Sequence, residues 1–279
     1  QGAENATGSG ADLSTVDQTL VTNAIEGAGE TVQMMNPGGA PRLFLGRFPA
    51  SVPEGCNYDA ATGRFNCAPV ADEHGPTLER SYAYLDGAGN PQGAYDAAGT
   101  AAINFQSRVN GAIGRGQVTG TVDHQRDLTA SGLSGAETTW TWNGTGSGTS
   151  HEEGIFGPPP GRGRGHGPGD GAGMGPGAGH GPGAGKGAGV AMSIDVTSSM
   201  AVSNVVVPYP PAQGSWPLSG TITQSMTATI TGGPHDGEVH ERAAILTFNG
   251  TQYATLTVGD ETRTIDLANP PGPPHRGPR

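Results

Sequence analysis

At 279 residues the chain is long enough for one large all-β domain or two small ones. Fourteen Lys and Arg stand against 25 Asp and Glu, a formal charge of −11, which excludes nucleic acid as a partner because phosphate binding needs an excess of cations. Only 33% of residues are hydrophobic and 5% aromatic, while 50 are glycine, so thin sheets with Thr, Ser and Gly packed closely are expected rather than a thick core of large side chains.

Residues 1–40 read as an N-terminal arm and an amphipathic helix. Gln1 to Ala11 is small and polar. Leu13, Val16, Leu20 and Ala24 then recur at helical spacing, with Asp12 or Ser14 as the N-cap and Asn36-Pro37-Gly38-Gly39 as the stop. The apolar stripe needs a surface to cover it, so Leu13, Val16 and Leu20 are candidate assembly contacts with the β body or with another copy. The chain starts at Gln1 without Met or an apolar leader, as a product whose signal peptide was removed would.

Residues 41–156 form a first β segment. Leu43 to Phe48 is a short strand, and Cys56 to Cys67 brackets the turn Asp59-Ala60-Ala61-Thr62-Gly63. A hairpin there brings the two sulfurs together, and a disulfide closing so short a loop implies an oxidising compartment. Further strands are expected at Leu78 to Leu85, before the turn Asp86-Gly87-Ala88-Gly89-Asn90-Pro91, then at Ala101 to Val109, Gln117 to Asp123 and Glu137 to Trp142. Asn143-Gly144 reads as the turn that ends the last of these.

Residues 157–190 are a Gly/Pro-rich tract without the three-residue glycine period of collagen and without the composition for a core. It reads as a flexible or polyproline-like loop joining two β segments, or as a backbone that orders against other chains. It carries Arg162, Arg164 and Lys186 against Asp170, and the tail carries Arg276 and Arg279. The remaining body therefore holds nine bases against twenty-four acids, a charge split that allows pairing within or between chains.

Residues 191–268 form a second β segment, expected to share a domain with the first, and 269–279 are a Pro-rich tail. Met192 to Val202 and Gly220 to Thr231 alternate apolar and polar, with a ladder of Thr221, Thr223, Thr227, Thr229 and Thr231 on one face. Ala243 to Phe248, Tyr253 to Val258 and Thr262 to Leu267 follow. The fold class expected is all-β, an antiparallel sheet system (sandwich or open barrel) with one N-terminal helix and a Gly/Pro-rich insertion. Thr139 to Thr145 echoes Leu246 to Thr251, as two similar half-sheets or as independent use of the Asn-Gly turn.

Motifs for chemistry are weak. His235-Asp236-Gly237-Glu238-Val239-His240-Glu241 and His151-Glu152-Glu153 hold ligand types without a zinc pattern, so no metal site is assigned. Asp86 to Asn90 lacks the alternating acids of a calcium loop, and no Gly-x-Ser-x-Gly elbow occurs. No cofactor and no catalytic residue follows, and the expected class is not an enzyme. Asn5, Asn143 and Asn249 head glycosylation sequons, the last two inside Asn-Gly turns, which explain them independently of modification. No apolar run reaches the length of a membrane-spanning helix.

The run Cys56-Asn57-Tyr58-Asp59-Ala60-Ala61-Thr62-Gly63-Arg64-Phe65-Asn66-Cys67, with Arg80 to Asp86, Tyr95-Asp96, Thr139–Thr145 and Trp216–Thr221, resembles a group of exported β-rich proteins of environmental bacteria. The resemblance implies export and an all-β fold, and brings no activity and no site. The expected function is an extracellular or cell-surface structural subunit that self-assembles into a pilus-like filament through its N-terminal arm or strand edges. The competing expectation is a monomeric periplasmic or surface-anchored binding protein that holds a sugar or lipid on a face carrying Trp140, Trp142 and Trp216.

Overall fold

The computed structural model describes residues 55–71, 75–115, 117–135, 137–156, 190–209 and 215–268. The expected N-terminal helix with Leu13, Val16 and Leu20, the strand at Leu43 to Phe48, Asn5, the Gly/Pro tract and the tail lie outside the described residues.

Twelve strands follow one another: β1 Cys56–Asp59, β2 Arg64–Ala71, β3 Thr77–Leu85, β4 Pro91–Gln92, β5 Ala102–Arg115, β6 Val118–Ser131, β7 Thr139–Phe156, β8 Val190–Pro208, β9 Ser219–Thr231, β10 Val239–Thr247, β11 Tyr253–Val258 and β12 Glu261–Asp266. Every strand pairs antiparallel with its neighbour in sequence, except that β4 hangs on β3 and β5 takes the next place. All twelve belong to one hydrogen-bonded sheet, so the expected antiparallel sheet system is present as a continuous meander. β7 and β8 flank the Gly/Pro tract and pair from Thr139↔Pro208 to Phe156↔Val190, which places the strands on both sides of the tract in that sheet.

Alternation decides which face is covered. Along β9, Ile222, Met226, Ala228 and Ile230 are buried, while the threonines between them face the other way. The same parity puts Tyr82, Tyr84, Ile103, Leu128, Ala130, Trp140, Trp142, Val202, Leu246 and Leu256 on one face, and they form a single cluster running from β2 to β11.

Large aromatic rings supply the centre of that cluster, against the expectation from composition. Phe65 stacks on Tyr82 at 4.9 Å, Tyr84 meets Phe65, Tyr82 and Tyr95 edge-on, and Trp140 stacks on Tyr209 at 4.2 Å. Fully burying a ring of this size is worth about 1.5–3 kcal/mol relative to leaving it exposed. A few rings at the sheet's focus therefore outweigh many small residues elsewhere.

The sheet has an identifiable corner. Asn143-Gly144 does not end a strand; it lies inside β7, where pairing with β8 slips between Trp142 and Gly144. Opposite it, Asn204 takes φ +50° with its N–H donated to Asn143 Oδ1 at 2.9 Å, and pairing with β9 slips again between Ser203 and Val206. Gly220 (φ +104°) completes the corner, where an added Cβ would stand 2.5 Å from Val205 Cα. Asn-Gly signals a turn because it permits positive φ, and here the same permission bends the sheet. At the other site Asn249-Gly250 does sit in the β10–β11 turn, so the two echoing segments have different structures.

Replacing Gly220 by Ala is expected to destabilise the fold by about 1–3 kcal/mol in urea unfolding, from the disfavoured φ together with the backbone collision. Gly114→Ala, at a position with open space and ordinary φ, should stay within about 0.5 kcal/mol of the parent. Equal effects at the two sites would refute the corner.

Candidate functional site

Two features of the sheet can act on another molecule: its edges and its uncovered face. Among the described residues β1 and β12 each pair on one side only. Leu267 donates its N–H to Gln252 C=O at 2.9 Å, and the alternation of a strand then directs Ile265 and Arg263 inward to β11. The N–H and C=O groups of Thr262 and Thr264 consequently point away from the sheet. The β12 side chains remain largely exposed, with Arg263 and Glu261 paired at 2.6 Å.

The opposite edge is shorter. β1 has four residues, and Cys56 lies directly across from Cys67 with the sulfurs bonded. Ala68 donates to Gly55 C=O at 3.0 Å, so Cys56 and Cys67 occupy a non-hydrogen-bonded pair, where cross-strand side chains approach most closely. The expected disulfide is present and staples the hairpin.

The face opposite the core is tiled with short polar side chains. Register aligns Asn66, Ser81, Gln106, Asp127 and Thr145 in one cross-strand row, and Glu79, Arg108, Gln125 and Ser147 in a second, two residues further along each strand. Between them runs a cleft of about 650 Å³ across β2, β3, β5, β6 and β7. Its walls are mutually braced: Gln106 Nε2 donates to Asp127 Oδ2 at 2.8 Å, Asn104 Nδ2 to Asp127 Oδ1 at 2.6 Å, and Gln125 Nε2 to Ser147 Oγ at 2.9 Å. Arg64 extends the network, donating to Ser81 Oγ and Asn104 Oδ1, and burial lowers its pKa. No single segment of sequence displays these rows, because each strand contributes only one or two residues to them.

The residues weighed for metal or calcium chemistry have other employment. Glu238 accepts from or pairs with both His235 (2.9 Å) and His240 (3.2 Å) at the β9–β10 turn, which holds its carboxyl below the usual range. Asp86 caps its own turn through the N–H groups of Ala88 and Asn90, lowering its pKa likewise, the largest contribution coming from the Asn90 side chain. No group of three or more metal-ligating side chains is gathered among the described residues. Asn143 is exposed with its side chain engaged at the corner, and Asn249 accepts from Thr251 N and Oγ1. Trp140 and Trp142 are buried in the core, while Trp216 is half-buried.

Strand alternation also divides His151-Glu152-Glu153. His151 faces outward, with Nδ1 2.7 Å from Asp195 Oδ1 on β8. That hydrogen bond raises the imidazole pKa above its ordinary value of 6.5, with Glu153 adding attraction. A raised folded-state value means the stabilisation is complete below the unfolded pKa and is lost as pH rises through the folded one. An NMR titration should place the His151 midpoint above 6.5, and Asp195→Asn should lower it; a parent midpoint at or below 6.5 would show that the pair does not persist in solution.

No family model, no curated protein and no solved structure matches this chain.

Proposed function

We propose that the chain is a non-catalytic structural subunit of the cell surface or extracellular space that assembles with copies of itself. The observation that carries this reading is the open outer side of β12, where Thr262 and Thr264 turn their main-chain groups to solvent. An added strand would satisfy those groups in a defined register. The Cys56–Cys67 bond is compatible with export, and no helix among the described residues is long and apolar enough to cross a membrane.

Magnitudes decide what the edge can do alone. Four main-chain hydrogen bonds at about 1 kcal/mol net each barely reach the low end of the roughly 4–15 kcal/mol that association costs. A second contact is needed, and the charge split supplies one: the cationic Gly/Pro tract of one copy against the acidic body of another. Two weak contacts acting together raise the apparent affinity steeply. Because one of the two is electrostatic, salt weakens the assembly.

Sedimentation of the purified protein across concentrations, with electron microscopy of the same samples, is expected to reveal oligomers that dissociate between low salt and about 0.5 M salt, beyond which screening is short-ranged. Thr264→Pro removes an outward N–H and leaves the β11 ladder intact, so it should reduce association at least tenfold with an unchanged circular dichroism spectrum. A monodisperse monomer at high concentration and low salt would end this reading.

A further inference from the structure

The cross-strand cleft has a chemistry of its own. Its two walls rise on the same face two residues apart, a spacing of about 7 Å, and the five strands it crosses give it a length of about 19 Å. That length suits an extended chain laid across the strands, not a compact ligand. The floor is main chain, because the side chains of Arg80, Ser107 and Arg126 alternate to the opposite face and Gly146 has none.

The walls exclude several ligand classes. They present no aromatic or large aliphatic side chain, so an acyl chain or an aromatic ring finds no apolar surface. Glu79 and Asp127 stand beside Arg108, which is held by Asp123 through Nε at 2.9 Å. With the Arg80 and Arg126 side chains on the other face, a polyanion meets two carboxylates and a guanidinium already paired with an acid. What remains is a mixture of amides, hydroxyls and carboxylates offering donors and acceptors in alternation.

A sugar hydroxyl is at once a donor and an acceptor, and a linear neutral glycan repeats that pair along its length. The bonds that brace Gln106 and Gln125 use their N–H groups, which leaves the amide carbonyl oxygens for a ligand. Side chains already fixed in this way lose little freedom on binding. The second wall also continues beyond the cleft as Ser147–Ser199–Ser225, one hydroxyl on each successive strand. We propose that this cleft binds a linear, uncharged glycan laid across β2 to β7.

The proposal does not depend on assembly, and the test is run on the full chain carrying Thr264→Pro so that the two readings fail separately. Cellohexaose, mannohexaose and maltohexaose are titrated by calorimetry and by amide NMR, each beside its disaccharide and beside oligogalacturonate. The expected result is that at least one neutral hexasaccharide binds, at least fivefold more tightly than its disaccharide, with shifts at Gln106, Gln125 and Ser147. Gln106→Ala should weaken that binding at least fivefold, and Ser147→Trp, which fills the cleft from an exposed position, should abolish it while the far-UV spectrum is unchanged. The proposal is overturned if no neutral hexasaccharide binds at about 5 mM, where even a millimolar Kd would register. It is equally overturned if only the oligogalacturonate binds, or if binding survives both substitutions.

Discussion

One sheet has to make its own core, and everything else in this molecule follows from that constraint. No second sheet lies over the apolar face among the described strands, and bending hydrogen-bonded strands towards that face is opposed by the Cβ atoms on the inside of the bend. The corner at Asn143, Gly144, Asn204 and Gly220 answers this opposition locally: two positions lack a side chain, one asparagine tolerates positive φ, and another holds its amide. The ladder slips by a residue on both sides of Asn204, and the strands change direction without losing their pairing elsewhere.

Curvature also explains how a chain so poor in aromatics keeps a firm interior. Rings placed on adjacent strands converge where the sheet bends inward, so Phe65, Tyr82, Tyr84, Trp140 and Trp142 meet although they are spread over more than seventy residues of sequence. On the other face the geometry diverges, and short hydroxyl and amide side chains suit a surface that remains wet. The two faces thus differ in kind: one carries the buried apolar cluster, and the other is polar.

Alternation made most of this legible in advance. The apolar stripe of β9 and the threonine ladder beside it are visible residue by residue, and the Cys56–Cys67 hairpin follows from two strand-forming aromatics around a glycine turn. Asn143-Gly144 misled because local sequence reports that positive φ is permitted, while the choice between turn and bend depends on Asn204, sixty-one residues away. Strand lengths were underestimated for a related reason. β7 continues through Gly144, Gly146 and Gly148, a run that propensity alone assigns to loop, because pairing with β6 and β8 on both sides holds it extended. The cleft could not be read at all, since its walls exist only once the register of five strands is known.

Phe156 and Val190 are cross-strand partners, so the chain leaves the sheet and re-enters it at adjacent points. The long β7–β8 ladder holds the two flanking strands to each other directly, so a single backbone cut between Phe156 and Val190 would leave both strands seated in the sheet by their own pairing.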